Sequence, residues 1–290
     1  MKVKRKPAWL RQHLVATAEL GGVRRTLEEL GLHTVCTEAK CPNRNRCFAS
    51  GQATFLIMGD VCTRNCRFCA IKSGKPEPLD PTEPQRVAQA ARKLNLRYVV
   101  VTSVTRDDLP DGGAEHFAET IRAIRREVPT ARVEVLTPDF GGDKDALDVV
   151  FAAGPDVFNH NVETVPRLYP QVRPQADYRR SLEVLSYAKK QGMLTKSGFM
   201  VGLGETKDEV FALLKDLRDA GVDIITIGQY LQPSPGHIAV DRFVRPEEFE
   251  EYSRFGEEEL GFAKVFAGPL VRSSFMAQDI WEKIGQEGGG

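Results

Sequence analysis

The chain has 290 residues, enough for one or two domains and for a large buried core. Its 40 Lys and Arg balance 40 Asp and Glu, and a formal net charge of zero removes the electrostatic case for nucleic-acid binding. Hydrophobic content of 41% with 28% charged excludes wholesale disorder and fibrous or coiled-coil rods, and no stretch approaches the roughly 18 apolar residues that span a bilayer.

The first residues, MKVKRKPAWLRQHL, concentrate Lys2, Lys4, Arg5, Lys6 and Arg11 and lack the apolar centre of a secretory signal. A solvated leader on a cytoplasmic protein is expected. A helical pattern follows near residues 23–30, and all six cysteines then fall between Cys36 and Cys69. In a reducing compartment such a cluster points to metal binding or catalysis rather than to disulfides. Beyond it, strand patterns at 54–58, 97–102, 132–136, 156–160, 195–201 and 223–227 alternate with helical patterns at 83–95, 114–128, 143–153, 177–191, 206–220 and 246–260. Asp177 is placed to cap the fourth of these helices, a short extra strand is possible at 264–267, and the tail over 287–290 reads as disordered.

Six βα units suit either a doubly wound sheet or a curved, partly closed barrel. Polar residues just beyond the strands favour the barrel, because the C-terminal strand ends are where such folds build their sites. Thr102 and Ser103, Thr137 to Asp139, Asn159 to Glu163, Ser197 and Gln229 to Gln232 are the examples. The expected fold is therefore α/β, a partial (β/α)6 TIM-like barrel over residues 54–245. Residues 1–53 and 246–290 are expected as extensions covering its mouth.

Cys62-Thr-Arg-Asn-Cys66-Arg-Phe-Cys69 directly follows the first strand. Structural zinc wants four ligands, usually as two separated pairs, whereas a [4Fe–4S] cluster held by three cysteines keeps one iron open to a small molecule. This segment resembles the CxxxCxxC signature of radical S-adenosylmethionine (SAM) enzymes. The resemblance implies that the open iron chelates SAM and that a 5′-deoxyadenosyl radical results. Cys36-x4-Cys41-x5-Cys47 lies upstream with a different spacing. By spacing alone the six thiols also allow one four-cysteine zinc site, with His33 or His13 as a further ligand, but two triplets on opposite sides of a strand favour two clusters.

Both triplets together with Arg272-Ser273-Ser274-Phe275, and the segments around Ser103 to Gly113, Asn159 to Thr164, Thr195 to Thr206 and Gly228 to Pro233, resemble the lipoyl synthase family. Three positions depart from its pattern: Phe275 stands for a tyrosine, Thr105 for an aspartate and Thr137 for an apolar residue. The resemblance implies a sulfurtransferase that inserts two sulfur atoms at C6 and C8 of a protein-bound octanoyl-lysine. It implies two [4Fe–4S] clusters: a radical SAM cluster on Cys62, Cys66 and Cys69, and an auxiliary cluster, the sulfur donor, on Cys36, Cys41 and Cys47 with Ser274 as fourth ligand and Arg272 beside it. Implied partners are an octanoylated lipoyl-carrier domain or glycine-cleavage H protein, a low-potential flavodoxin- or ferredoxin-type donor, and an iron–sulfur carrier that rebuilds the auxiliary cluster. The leader's basic residues are a possible contact for the carrier. No nucleic acid and no membrane are expected.

Because they follow strands and can pair with a carboxylate, ribose or adenine edge, Ser103, Asn161, Glu163, Arg173, Gln229 and Gln232 are expected to hold SAM. Asp107 and Asp108 read equally as turn caps, His160 as a hydrogen-bonded core residue, and Gly202-Leu-Gly204-Glu205 lacks the full dinucleotide fingerprint. The rival readings are another radical SAM sulfur-inserting enzyme, or a non-catalytic zinc-binding interaction module that would be colourless and hold zinc without iron.

Overall fold

The computed structural model describes residues 5–11 and 18–274. Lys2, Lys4, His13, Phe275 and the tail over 287–290 lie outside the described residues. Seven strands run parallel and lie side by side in chain order: β1 (Thr54–Ile57), β2 (Tyr98–Ser103), β3 (Arg132–Leu136), β4 (Val157–Asn159), β5 (Thr195–Val201), β6 (Ile224–Gln229) and β7 (Lys264–Gly268). The short strand His33–Thr34 pairs antiparallel with β1. The ladder thus has two ends, and the α/β barrel is partial rather than closed.

Helices α1 (Glu83–Lys93), α2 (Ala114–Glu127), α3 (Lys144–Ala152), α4 (Tyr178–Lys190), α5 (Lys207–Asp219) and α6 (Pro246–Arg254) follow β1 to β6 in turn. Their starts obey local chemistry: Asp177 accepts from Arg180 N–H at 2.8 Å, and Thr206 and Glu209 form a capping box on α5. Strand alternation then divides the side chains. Phe55, Ile57, Val99, Val101, Val133 and Val135 join one core with α1, α2 and α3, while Leu56, Val100, Thr102 and Leu136 line an interior cavity. Among the described residues no helix is long and apolar enough to cross a membrane.

Two boundaries differ from expectation. The helix expected over 246–260 ends at Arg254 and widens into a π turn, Phe255–Glu259, where a side chain at Gly256 would collide with Val265 of β7. Close approach to β7 therefore shapes that segment. The region from 246 also does not simply lie over the mouth: α6 and β7 continue the βα order, with β7 paired along β6 from Lys264 opposite Ile224 to Gly268 opposite Gly228. Among the described residues beyond β7, Arg272, Ser273 and Ser274 of the strap over 269–274 line the interior cavity.

Candidate active site

At the end of β1 the chain turns through Met58 and Gly59, both at positive φ (68° and 89°). Glu83 at the start of α1 accepts from Met58 N–H at 2.7 Å and meets His116 Nε2 at 2.7 Å, fastening the turn. The cysteine loop that follows is closed at its base, where Val61–Cys62 pairs with Lys72–Ser73 and Gly74 N–H donates to Cys62 O at 3.0 Å. Within it, Cys69 N–H donates to Cys66 O at 3.0 Å, so two thiols come together through a local turn. Backbone N–H groups of Arg64 and Thr105 point at Cys62 Sγ, at 3.4 and 3.3 Å. Arg64 ties this loop to the barrel: it grips Asp107 through Nε and Nη2, each at 2.8 Å, and reaches Asp139 at 2.7 Å. Burial works against the Asp139 charge, yet the hydrogen bond and charge of Arg64 outweigh it and hold the carboxyl at about 2. Burial pushes Cys66 up and Cys69 up to about 12, with the neighbouring thiols adding to the effect. A bound iron cluster would offset that burial, because its positive charge favours the thiolate form.

The second triplet is assembled differently. Thr34 caps the short helix Val35–Glu38 that carries Cys36, accepting from Thr37 N–H at 3.3 Å. Cys41 N–H donates to Cys36 O at 3.1 Å, and Cys47 lies in the helix Arg44–Ala49. Burial pushes Cys36 to about 11 and Cys47 to about 12, with Cys41 adding to both. Across from them passes the strap. Asn43 Nδ2 donates to Leu270 O at 2.6 Å, Asn161 Nδ2 to Ser273 Oγ at 2.6 Å and Thr54 Oγ1 to Ser274 Oγ at 2.8 Å. Thr54 also hydrogen-bonds Cys36, so its hydroxyl stands between a thiol of the N-terminal segment and the serine of the strap. The path of the strap is open because β5 and β6 carry glycines there. A side chain at Gly198 would strike Thr226 and crowd Asn161 and Ser273, and one at Gly228 would strike Val271 O.

Both triplets, with Arg272, Ser273 and Ser274, line one cavity of about 530 Å³. Among the described residues no three His, Cys, Asp or Glu converge at the spacing of a single metal ion. Ser103, Asn161, Glu163, Arg173 and Gln232 line the same cavity. Three of them keep buried polar atoms that find no partner among the described residues: Ser103 Oγ, Asn161 Oδ1 and Arg173 Nε. Orphaned donors and acceptors in a cavity fit a polar ligand with amino, carboxylate and hydroxyl groups, as SAM has. Glu163 sits at φ 65°, a strained left-handed conformation held by Glu163 N–H donating to Gly198 O at 3.0 Å and Met200 N–H to Glu163 O at 2.9 Å. Burial pushes its carboxyl up, against the pull of Arg173. The Arg272 guanidinium is held below its ordinary range, because burial disfavours the charge more than Cys41 and Glu163 favour it.

Gln229 is not brought into the cavity. Its amide nitrogen donates to Val201 O, Tyr230 O and Arg242 O, and its oxygen accepts from Val244 N–H at 2.7 Å, so it binds the chain beyond β6 instead. Asp107 and Asp108 pair bidentately with Arg64 and Arg106 rather than capping turns. His160 is a core residue bonded to Thr137 O at 2.9 Å and Ser181 Oγ at 3.1 Å, and Glu205 accepts from Gly202 and Leu203 N–H instead of forming a nucleotide loop. Two of the unusual positions act here through their backbones: Thr105 N–H on Cys62, and Thr137 O on His160. Sequence reasoning missed Arg64 and Thr54. Arg64 carries a signal, since it lies inside the cysteine motif, whereas nothing in the spacing marks Thr54.

Three cysteines on the loop after the first strand of a partial βα barrel, facing orphaned polar atoms, define a radical SAM enzyme. The profile of the radical SAM superfamily matches residues 56–217. The fold is shared with the crystal structure of HydG, a maturase of the [FeFe]-hydrogenase, at a TM-score of 0.58 and 15% identity, over 86% of this chain and 67% of that one. The lipoyl synthase of Rubrobacter xylanophilus is 56% identical, over 96% of this chain and 87% of its own length. That of Caldicellulosiruptor saccharolyticus is also 56% identical, over 98% and 100%. The chain belongs to the lipoyl synthase family, whose radical SAM chemistry implies SAM and a [4Fe–4S] cluster.

Proposed function

We propose that this chain inserts two sulfur atoms, at C6 and C8, into an octanoyl chain carried on a lysine of a lipoyl-carrier domain or glycine-cleavage H protein. Cys62, Cys66 and Cys69 hold one [4Fe–4S] cluster with an iron open to SAM. Cys36, Cys41, Cys47 and Ser274 hold a second. When bound, these groups supply a carbon-centred radical able to take hydrogen from unactivated carbon, and sulfide as the sulfur source.

The chain's own residues position, shield and hold. Two backbone N–H dipoles aimed at Cys62 Sγ, and the Arg64 grip behind them, orient the first cluster's loop. Ser103, Asn161, Arg173, Glu163 and Gln232 take the polar groups of SAM. Thr54 donates a hydrogen bond to Ser274, which would position this hard oxygen donor for the second cluster. The strap and the N-terminal segment wall the cavity against water. The carrier docks transiently beside these extensions and its flexible acyl-lysine reaches inward, while a low-potential flavodoxin- or ferredoxin-type protein supplies electrons and an iron–sulfur carrier restores the second cluster.

The observation that carries this reading is that both triplets open on one cavity. Its test is the iron, acid-labile sulfide and zinc content after anaerobic reconstitution, followed by turnover of an octanoyl-lysyl peptide. About eight irons and eight sulfides per chain and a dithiolane product are expected. About four of each would leave no sulfur source, and zinc without iron would point to a non-catalytic module.

A further inference from the structure

The cavity lining reaches well below the cysteine loop. The loop follows the C-terminal end of β1, yet the cavity also touches Tyr98, the first residue of β2, with Leu56, Val100 and Leu136 between. By strand rise, Tyr98 lies about 13 Å along β2 from Thr102. Leu56, Val100 and Leu136 give this part of the lining an apolar character, and Tyr98 is its residue nearest the start of β2. Beneath the Tyr98 ring is a buried polar floor: Glu134 accepts from Tyr98 Oη at 2.7 Å, from Asn159 Nδ2 at 2.9 Å and from Lys196 Nζ at 2.9 and 3.1 Å. Glu134 and Lys196 are each 1% exposed and neither lines the cavity. Tyr98 and Val100 therefore roof an ion pair that an apolar ligand must not touch. Burial and the adjacent Glu134 push the Tyr98 phenol up, so it stays a neutral donor and the ring stays locked.

We propose that Tyr98 is the end-stop that sets acyl-chain length, with the methyl terminus of the substrate lying against its ring. This inference rests on the function proposed above and deepens it. Strand register gives it a chemical consequence. Val100, two residues beyond Tyr98, pairs with Thr54, whose hydroxyl holds Ser274 and contacts Cys36. A chain stopped at Tyr98 puts its terminal carbons beside the second cysteine triplet. A longer chain would be driven into the Glu134–Lys196 floor, and a shorter one would fall short of the sulfur source.

Two variants move the stop in opposite directions. Tyr98→Leu shortens the side chain while leaving Glu134 its Lys196 and Asn159 partners, and Val100→Phe fills the cavity there. Holoenzymes at equal iron content are assayed with hexanoyl-, octanoyl- and decanoyl-lysyl peptides for turnover and, without reductant, for binding. The decanoyl-to-octanoyl ratio of kcat/KM should rise at least about tenfold in Tyr98→Leu, and the hexanoyl-to-octanoyl ratio should rise similarly in Val100→Phe, the scale expected for methylenes in a fitted apolar pocket. Unaltered chain-length order in variants that fold and bind iron overturns the assignment. The wild-type chain gives a test that needs no variant: an octanoyl-lysyl peptide with a diazirine at the acyl terminus should label residues 98–100 on irradiation, and labelling elsewhere overturns the end-stop. If the wild type neither binds nor converts the octanoyl peptide, the proposed function itself fails, a result distinct from either of the others.

Discussion

The two cysteine triplets meet at one cavity but are built by opposite means. Cys62, Cys66 and Cys69 sit within eight residues of chain, gathered by a turn and a two-residue strand pairing, and backed by a buried arginine. Cys36 and Cys47 sit on two short helices of the N-terminal segment with Cys41 in the turn between them, and the serine that faces them arrives from residue 274, held by Thr54 while Asn43 and Asn161 fasten the strap. A site made locally can assemble before the fold is complete, whereas one made from both ends of the chain depends on the whole barrel. On the proposed function, the cluster that stays would sit in the local site, and the one that gives up its sulfur would sit where an oxygen of the strap completes the ligand set.

The sharpest way to break this division is a pair of variants. Cys62→Ala should abolish both SAM cleavage and sulfur insertion, while Cys36→Ala should keep SAM cleavage, measured as 5′-deoxyadenosine, and abolish the dithiolane product. Dithiolane formation by Cys36→Ala would end the proposed division of labour. Next in size is Arg64→Gln, which strips the buried Asp139 carboxylate of its main partner and should cost about 3–5 kcal/mol in denaturant unfolding. Its cluster loop should also lose iron selectively, taking the content from about eight toward about four. Loss of iron from both sites equally would show that the first triplet is no more self-contained than the second.

The frame between the two sites carries a pH signature. Burial and the Arg173 guanidinium hold His160 down at about 4, outweighing the opposite pull of Asp139 and Thr137 O. The unfolded chain, at an ordinary histidine pKa near 6.5, binds the extra proton first. Stability is therefore complete above about pH 6.5, falls as pH is lowered toward about 4, and is unaffected by this group below that, a loss on the order of 3 kcal/mol. In urea titrations at matched iron content, His160→Gln should flatten that slope, and an unchanged slope would remove His160 as its source. The smallest effect is expected at Gly228, where an added Cβ strikes the carbonyl of Val271 and displaces the strap. Gly228→Ala should lower sulfur insertion roughly 10- to 100-fold with SAM cleavage retained. Equal loss of both activities would mean that the strap serves the two sites alike.

The order of βα units was legible because each strand and helix declares itself through its own periodicity and caps. β2, β3, β5 and β6 fall within about two residues of their sequence expectation, and Asp177 caps α4 as its position suggested. Ser103, Asn161, Glu163, Arg173 and Gln232 were legible as cavity residues for a related reason: all but Arg173 lie at or shortly beyond strand ends, where parallel sheets present polar groups. Gln229 has the same address but the opposite fate, since Gly202 and the chain around Arg242 and Val244 lie close enough to take every atom of its amide. No local pattern tells those two outcomes apart. Arg64 and Thr54 were missed on similar grounds, because Asp107, Asp139 and Ser274, the partners that show their roles, are 43 to 220 residues distant along the chain.

What the amino-acid order determined by itself was the set of donors and the elements that bear them: two cysteine triplets, a serine pair, and alternating strands and helices whose periodicity needs only nearest neighbours. The tertiary structure alone decided which donors share a cavity, that Asp107 serves Arg64 rather than a turn, that β7 belongs to the sheet, and that the cavity lining extends to Tyr98. Each of these depends on distance in space between segments far apart in the chain, and such distances are set by the packing of the barrel as a whole.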